Sequence, residues 1–109
     1  MLEFTTAGAP RVIARAIEEY ARAQGNVTAL VVPWESDTTT LRMAVTSVKI
    51  DGWAIEHTNL GTITLTDMGG EATGVDITAH QPDHAEQLKL CALFDRFARE
   101  LQTHLTGPR

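Results

Sequence analysis

The chain has 109 residues and a formal net charge of −5, which makes it one domain with a modest core. An acidic balance argues against nucleic acid or an anionic membrane as partner, because both want a basic surface. One cysteine excludes an internal disulfide and fits a reducing compartment.

No apolar run approaches the length of a membrane span. Met1-Leu2-Glu3-Phe4 lacks the basic start and apolar block of a signal peptide, so the expected location is the cytoplasm.

Leu2 to Thr6 reads as a short edge or partner strand. Gly8-Ala9-Pro10 opens a helix, because Pro10 suits the first helical position, where no N–H is needed. Val12, Ile13, Ala16, Ile17, Tyr20 and Ala21 are expected on its inner face. Arg11, Arg15, Glu18, Glu19 and Arg22 are expected in water, with Glu18 and Arg22 spaced for an ion pair. Gly25 and Asn26 end the helix.

Val27 to Val32 is a β-branched, apolar run that predicts a strand. Pro33 cannot donate to a ladder, so that end belongs at an edge or bulge. Glu35-Ser36-Asp37 is turn-like, and Thr39 to Ile50 predicts a longer strand. Leu41, Met43 and Val45 share one face; after Thr46 the apolar positions become Val48 and Ile50. That change of parity predicts a bulge and a curved sheet.

Asp51-Gly52 is a strong hairpin signal. Trp53 to Thr58 alternates, Asn59 to Gly61 interrupts, and Thr62 to Thr66 resumes, which fits either two strands or one bent near Gly61. Gly69-Gly70 predicts the next turn. Thr73 to His80 returns with Val75, Ile77 and Ala79 on one side and Asp76, Thr78 and His80 on the other. Clean alternation implies a sheet with one wet face.

The longest element is the helix predicted over 83–106. Asp83 and Glu86 form an Asp variant of the capping box. Leu90, Phe94, Phe97, Leu101 and Leu105 recur on one face, widened by Cys91 and Ala98. Gly107 and Pro108 are the stop signal. The fold class is therefore α+β: an antiparallel curved sheet of five to six strands, order β-α-β(4-5)-α, with the long C-terminal helix packed on it.

That order resembles the helix-grip fold of the START and Bet v 1-like superfamily, and more broadly TBP-like β-α-β4-α domains. The closing stretch Gly61-Thr62-Ile63-Thr64-Leu65-Thr66-Asp67-Met68-Gly69-Gly70, a return strand and the long helix looks like the end of polyketide-cyclase-like members. The resemblance implies a small apolar ligand held between sheet and long helix, with no universal catalytic motif to carry over. Two short helices often follow the first strand in those members; this chain has room for one.

Tyr20, Trp34, Met43, Trp53, Phe94 and Phe97 are the candidate ligand-binding residues, since large apolar side chains near strand ends can line a pocket mouth. The plainer reading makes them core or a dimer patch. Arg42 is placed to meet a ligand carboxylate if its face is concave. His80, Asp83 and His84 lie together at a turn, yet straddle it, and Asp83 is better used as a cap; no metal or other cofactor is expected. His104 in the last helical turn suits the helix dipole. Cys91, among apolar neighbours, is expected to be an inert thiol.

The expected function is binding of a small apolar ligand. The alternatives are an interaction module, homodimeric or docked on a partner, and an enzyme of the cyclase or hydrolase kind. Helices on one face leave a bare face bearing Thr62, Thr64, Thr66, Asp76 and Thr78 for a second copy.

Overall fold

The computed structural model describes residues 2–80 and 88–106. The elements are β1 (Leu2–Ala7), α1 (Pro10–Gln24), β2 (Val27–Val31), a 3-10 turn (Pro33–Glu35), β3 (Thr40–Asp51), β4 (Ala54–Gly69), β5 (Ala72–Ala79) and α2 (Leu88–Thr106). The strands form one antiparallel sheet in the order β1-β5-β4-β3-β2, curved but not closed. Strands β2 to β5 are a meander of hairpins. β1 pairs beside β5, and α1 carries the chain from that edge to the opposite one. The fold class, element order and C-terminal helix are those the residue pattern predicts.

α1 begins at Pro10 and stops at Gly25, whose φ of 82° takes the left-handed cap conformation. Its buried residues are Ile13, Ala14, Ile17 and Ala21. Val12, expected inside, is 62% exposed, and Ala14 takes its place. The helical face is centred on Ile13, Ile17 and Ala21, and Val12 stands about 100° from Ile13 around the axis. Glu18 and Arg22 do not pair; the ion pairs among the described residues are Arg42–Glu35 and Arg99–Asp95.

Both helices pack on one face of the sheet, α1 mainly over β2, β3 and β4, and α2 over β1, β4 and β5. Between them lie Ile17, Met43, Val45, Ile63, Leu65, Val75, Ile77 and Leu101, all essentially inaccessible to solvent. Burying each large aliphatic side chain contributes about 1.5–3 kcal/mol. Two hydroxyls enter this layer with partners. Thr73 donates to the Gly8 carbonyl at 2.7 Å, and Thr6 to the Leu105 carbonyl at 3.0 Å. The second bond ties β1 to the last turn of α2. Asp83, Glu86, Gly107 and Pro108, the predicted cap and stop of this helix, lie outside the described residues.

The predicted register shift falls between Val45 and Thr46, but the extra residue belongs to the partner strand. Val45 faces Gly61 and Thr46 faces Asn59, so Leu60 is the bulged residue. β3 itself keeps its parity: Ser47 is buried while Ile50 is exposed. A second shift between Asp67 and Gly69 leaves Met68 unpaired. β4 is thus one strand, bent twice, which resolves the alternatives at Gly61. The β3–β4 loop is Gly52-Trp53, with positive φ at Gly52, the pattern of a type II′ turn. Val27 faces Ser47 and Gly61 faces Ala79, so the hairpin beyond Val48 and Asn59 projects past both neighbouring strands.

Candidate functional site

The six candidate ligand-binding residues do not line one cavity. Met43, Phe94 and Phe97 belong to the core, at most 4% exposed. Tyr20 is half-buried between the helices. Its ring centroid lies 5.7 Å from that of Phe97 and 4.8 Å from that of His104, with the His104 ring stacked on it. Trp34, in the 3-10 turn, is 85% exposed, and Trp53, at the tip of the β3–β4 hairpin, is 100% exposed. The space beneath the middle of α2 is filled by aromatic rings: Phe94 and Phe97 sit 6.5 Å apart, and Phe94 reaches the backbone of β4 at Gly61.

A smaller cleft of about 180 Å³ remains between α2 and the β1–β5 edge. Leu2, Ile77, Cys91, Phe94 and Ala98 form its apolar lining. Cys91 is half-buried there rather than enclosed in the helix stripe. A more open groove of about 510 Å³ runs between α1 and the segment joining β2 to β3.

The face of the sheet away from the helices carries a second apolar system. Alternation puts Leu30, Ala44, Val48, Ile50 and Ile55 on this face, with Leu30 opposite Ala44 and Ile50 opposite Ile55. Ile50 is 71% and Ile55 61% exposed. Thr28, Thr46, Thr62 and Thr64 fill the intervening positions. By alternation the same face carries Arg42 and His57, and Arg42 lies 3.9 Å from the Glu35 carboxylate. This patch escapes detection as a parity change in β3, because Val48 and Ile50 imitate a core face. The signal that could have found it is Ile55, which shares the tip of the hairpin with Ile50.

The polar groups have local tasks. One oxygen of Asp37 accepts from the Thr39 amide at 2.8 Å, the Thr39 hydroxyl at 3.0 Å and the Thr40 amide at 2.8 Å. These bonds, the Thr39 amide foremost, hold the Asp37 carboxyl below its usual pKa. Ser36 donates to the Val32 carbonyl and accepts from the Arg42 amide, which fastens the 3-10 turn to β3. Arg42 stands on the open face, 3.9 Å from Glu35. Burial, then the nearby Glu100 carboxylate, pushes the Tyr20 phenol up. His80 is exposed, while Asp83 and His84 lie outside the described residues. Among the described residues no three His, Cys, Asp or Glu side chains converge as metal ligands.

Comparison with protein-family models, curated proteins and solved structures gives no match. Among the described residues no helix is long and apolar enough to cross a membrane. The class that the fold defines is an α+β domain with two helices on one face of a curved five-stranded sheet.

Proposed function

We propose that this chain is an interaction module that pairs with a second copy of itself through the open face of its sheet. The observation that carries this reading is the exposed Ile50–Ile55 pair on that face, in the hairpin whose tip holds the fully exposed Trp53. Water-exposed apolar side chains grouped on one surface mark contact sites more often than scattered ones do. A two-fold contact places the same patch on both partners.

The test reads Trp53 alone, in a Trp34→Phe variant. Its emission moves to shorter wavelength as protein concentration rises, because association removes the ring from water. Emission that stays at the solvent-exposed position from low to high micromolar concentration contradicts the reading.

A second reading is supported by the cleft beside α2. Its apolar lining lies between sheet and long helix, where the helix-grip resemblance implies a small apolar ligand. About 180 Å³ is below the usual range for drug-sized ligands, so the ligand class is a small one. Ala79→Phe, which fills the cleft from β5, abolishes saturable binding of an apolar dye on this reading. Unchanged dye binding in that variant excludes the cleft.

A further inference from the structure

The open groove between α1 and the β2–β3 connection has two kinds of wall over an apolar floor. Ala14, Val31 and Leu41 form the floor. Arg11, Arg15 and Glu18, at i, i+4 and i+7 of α1, form one wall, and Asp37 stands in the other. Neither arginine is in an ion pair among the described residues, since the pairs there are Arg42–Glu35 and Arg99–Asp95. Asp37 has one oxygen committed to its turn by three hydrogen bonds; these fix the carboxylate in place and leave its second oxygen without a hydrogen bond among the described residues. Two guanidinium groups and two carboxylates sum to zero, so the lining favours neither a net anion nor a net cation. It favours a ligand that carries both signs on an apolar body.

We propose that this groove binds a short apolar peptide as a zwitterion. Its terminal carboxylate meets Arg11 and Arg15, its terminal ammonium meets Asp37, and its side chains lie on Val31 and Leu41. Guanidinium groups recognise a carboxylate with paired N–H donors, which makes the helix wall the carboxylate end. A volume of about 510 Å³ suits a ligand larger than one amino acid, and an extended peptide of about two residues spans roughly 7 Å. The groove is on the helix side of the sheet, so this binding is independent of pairing through the open face.

The test is a chemical-shift titration of the full chain, ¹⁵N-labelled, with leucyl-leucine, its N-acetyl form and its C-terminal amide. Leucyl-leucine gives saturable shifts centred on Arg11, Arg15, Val31 and Leu41. Each capped form, lacking one charge-assisted contact, binds about tenfold or more weakly. In Arg11→Gln/Arg15→Gln the peptide and its amide bind alike. In Asp37→Asn, where the side-chain oxygen still serves the turn, the peptide and its acetylated form bind alike. Equal binding of all three ligands to the parent protein, shifts centred elsewhere, or no saturable shift overturns the proposal.

Discussion

The ring of Phe94 rests where a side chain on Gly61 would begin. A Cβ at Gly61 would stand 2.7 Å from Phe94 Cζ and closer still to the Thr78 carbonyl oxygen. Glycine is needed here for approach rather than for backbone freedom, because the second residue of the β4 bulge faces the core and α2 lies across it. Gly61→Ala therefore destabilises by about 1–3 kcal/mol through overpacking. Combining it with Phe94→Leu returns part of that loss, measured as a non-additive pair in urea unfolding. Additive losses would show that the two do not compete for this space.

Phe97 and Arg99 separate the faces of α2. Phe97 is 4% exposed, and the Arg99 side chain is 73% exposed, with Asp95 as its side-chain partner among the described residues. Phe97→Ala costs about 3–5 kcal/mol, whereas Arg99→Ala changes stability by under roughly 0.5 kcal/mol. Equal urea midpoints for the two variants would contradict this orientation of the helix.

Much of this architecture is legible in single residues. Pro10 and Gly25 mark the ends of α1, and the alternation of Val75 and Ile77 with Asp76 and Thr78 marks β5 and its faces. The Asp51-Gly52 pair marks the hairpin within one residue of its turn. What one strand's pattern cannot show is the partner's contribution to a ladder. Val48 and Ile50 read as a parity change in β3, whereas Leu60 of β4 supplies the bulge and β3 keeps its parity, with Ser47 on the helix side and Val48 and Ile50 on the open face. The tryptophans are illegible for a related reason: an apolar side chain says that burial is favourable, not that its own chain provides it. The part played by Gly61 depends on Phe94, a residue of a helix that begins only at Leu88.

Glu71 occupies the left-handed region with φ 59°, beside Gly70 at φ 61° in the β4–β5 turn. Two consecutive positive φ values define a type I′ turn, in which a side chain with a Cβ is strained at the second position. Glu71→Gly relieves the strain and raises stability by up to about 1 kcal/mol. A lower urea midpoint for this variant would show that the Glu71 side chain contributes more than its backbone costs.

Tyr20 gives the fold an alkaline limit. Its folded-state pKa is raised, first by burial and then by Glu100, so the folded protein holds the phenolic proton more tightly than the unfolded chain. The stabilisation is fully present below the ordinary tyrosine pKa and is lost as pH rises through the folded value. As Tyr20 is the only tyrosine, phenolate absorbance reports it directly, with a midpoint above that of free tyrosine. Tyr20→Phe removes this part of the alkaline loss of stability. A midpoint at or below the ordinary value would contradict the packing of Tyr20 between the helices.

Pairing through the open sheet face is tested most directly by sedimentation equilibrium of the parent chain and of Ile50→Thr/Ile55→Thr. Threonine keeps the β-branched shape that suits a strand while removing apolar surface. Both positions are exposed, so each monomer keeps its urea midpoint within roughly 0.5 kcal/mol per substitution. The account predicts a monomer–dimer equilibrium in the micromolar range for the parent and a monomer throughout for the variant. A parent chain that stays monomeric over that range, or a variant that dimerises as well as the parent, would contradict it.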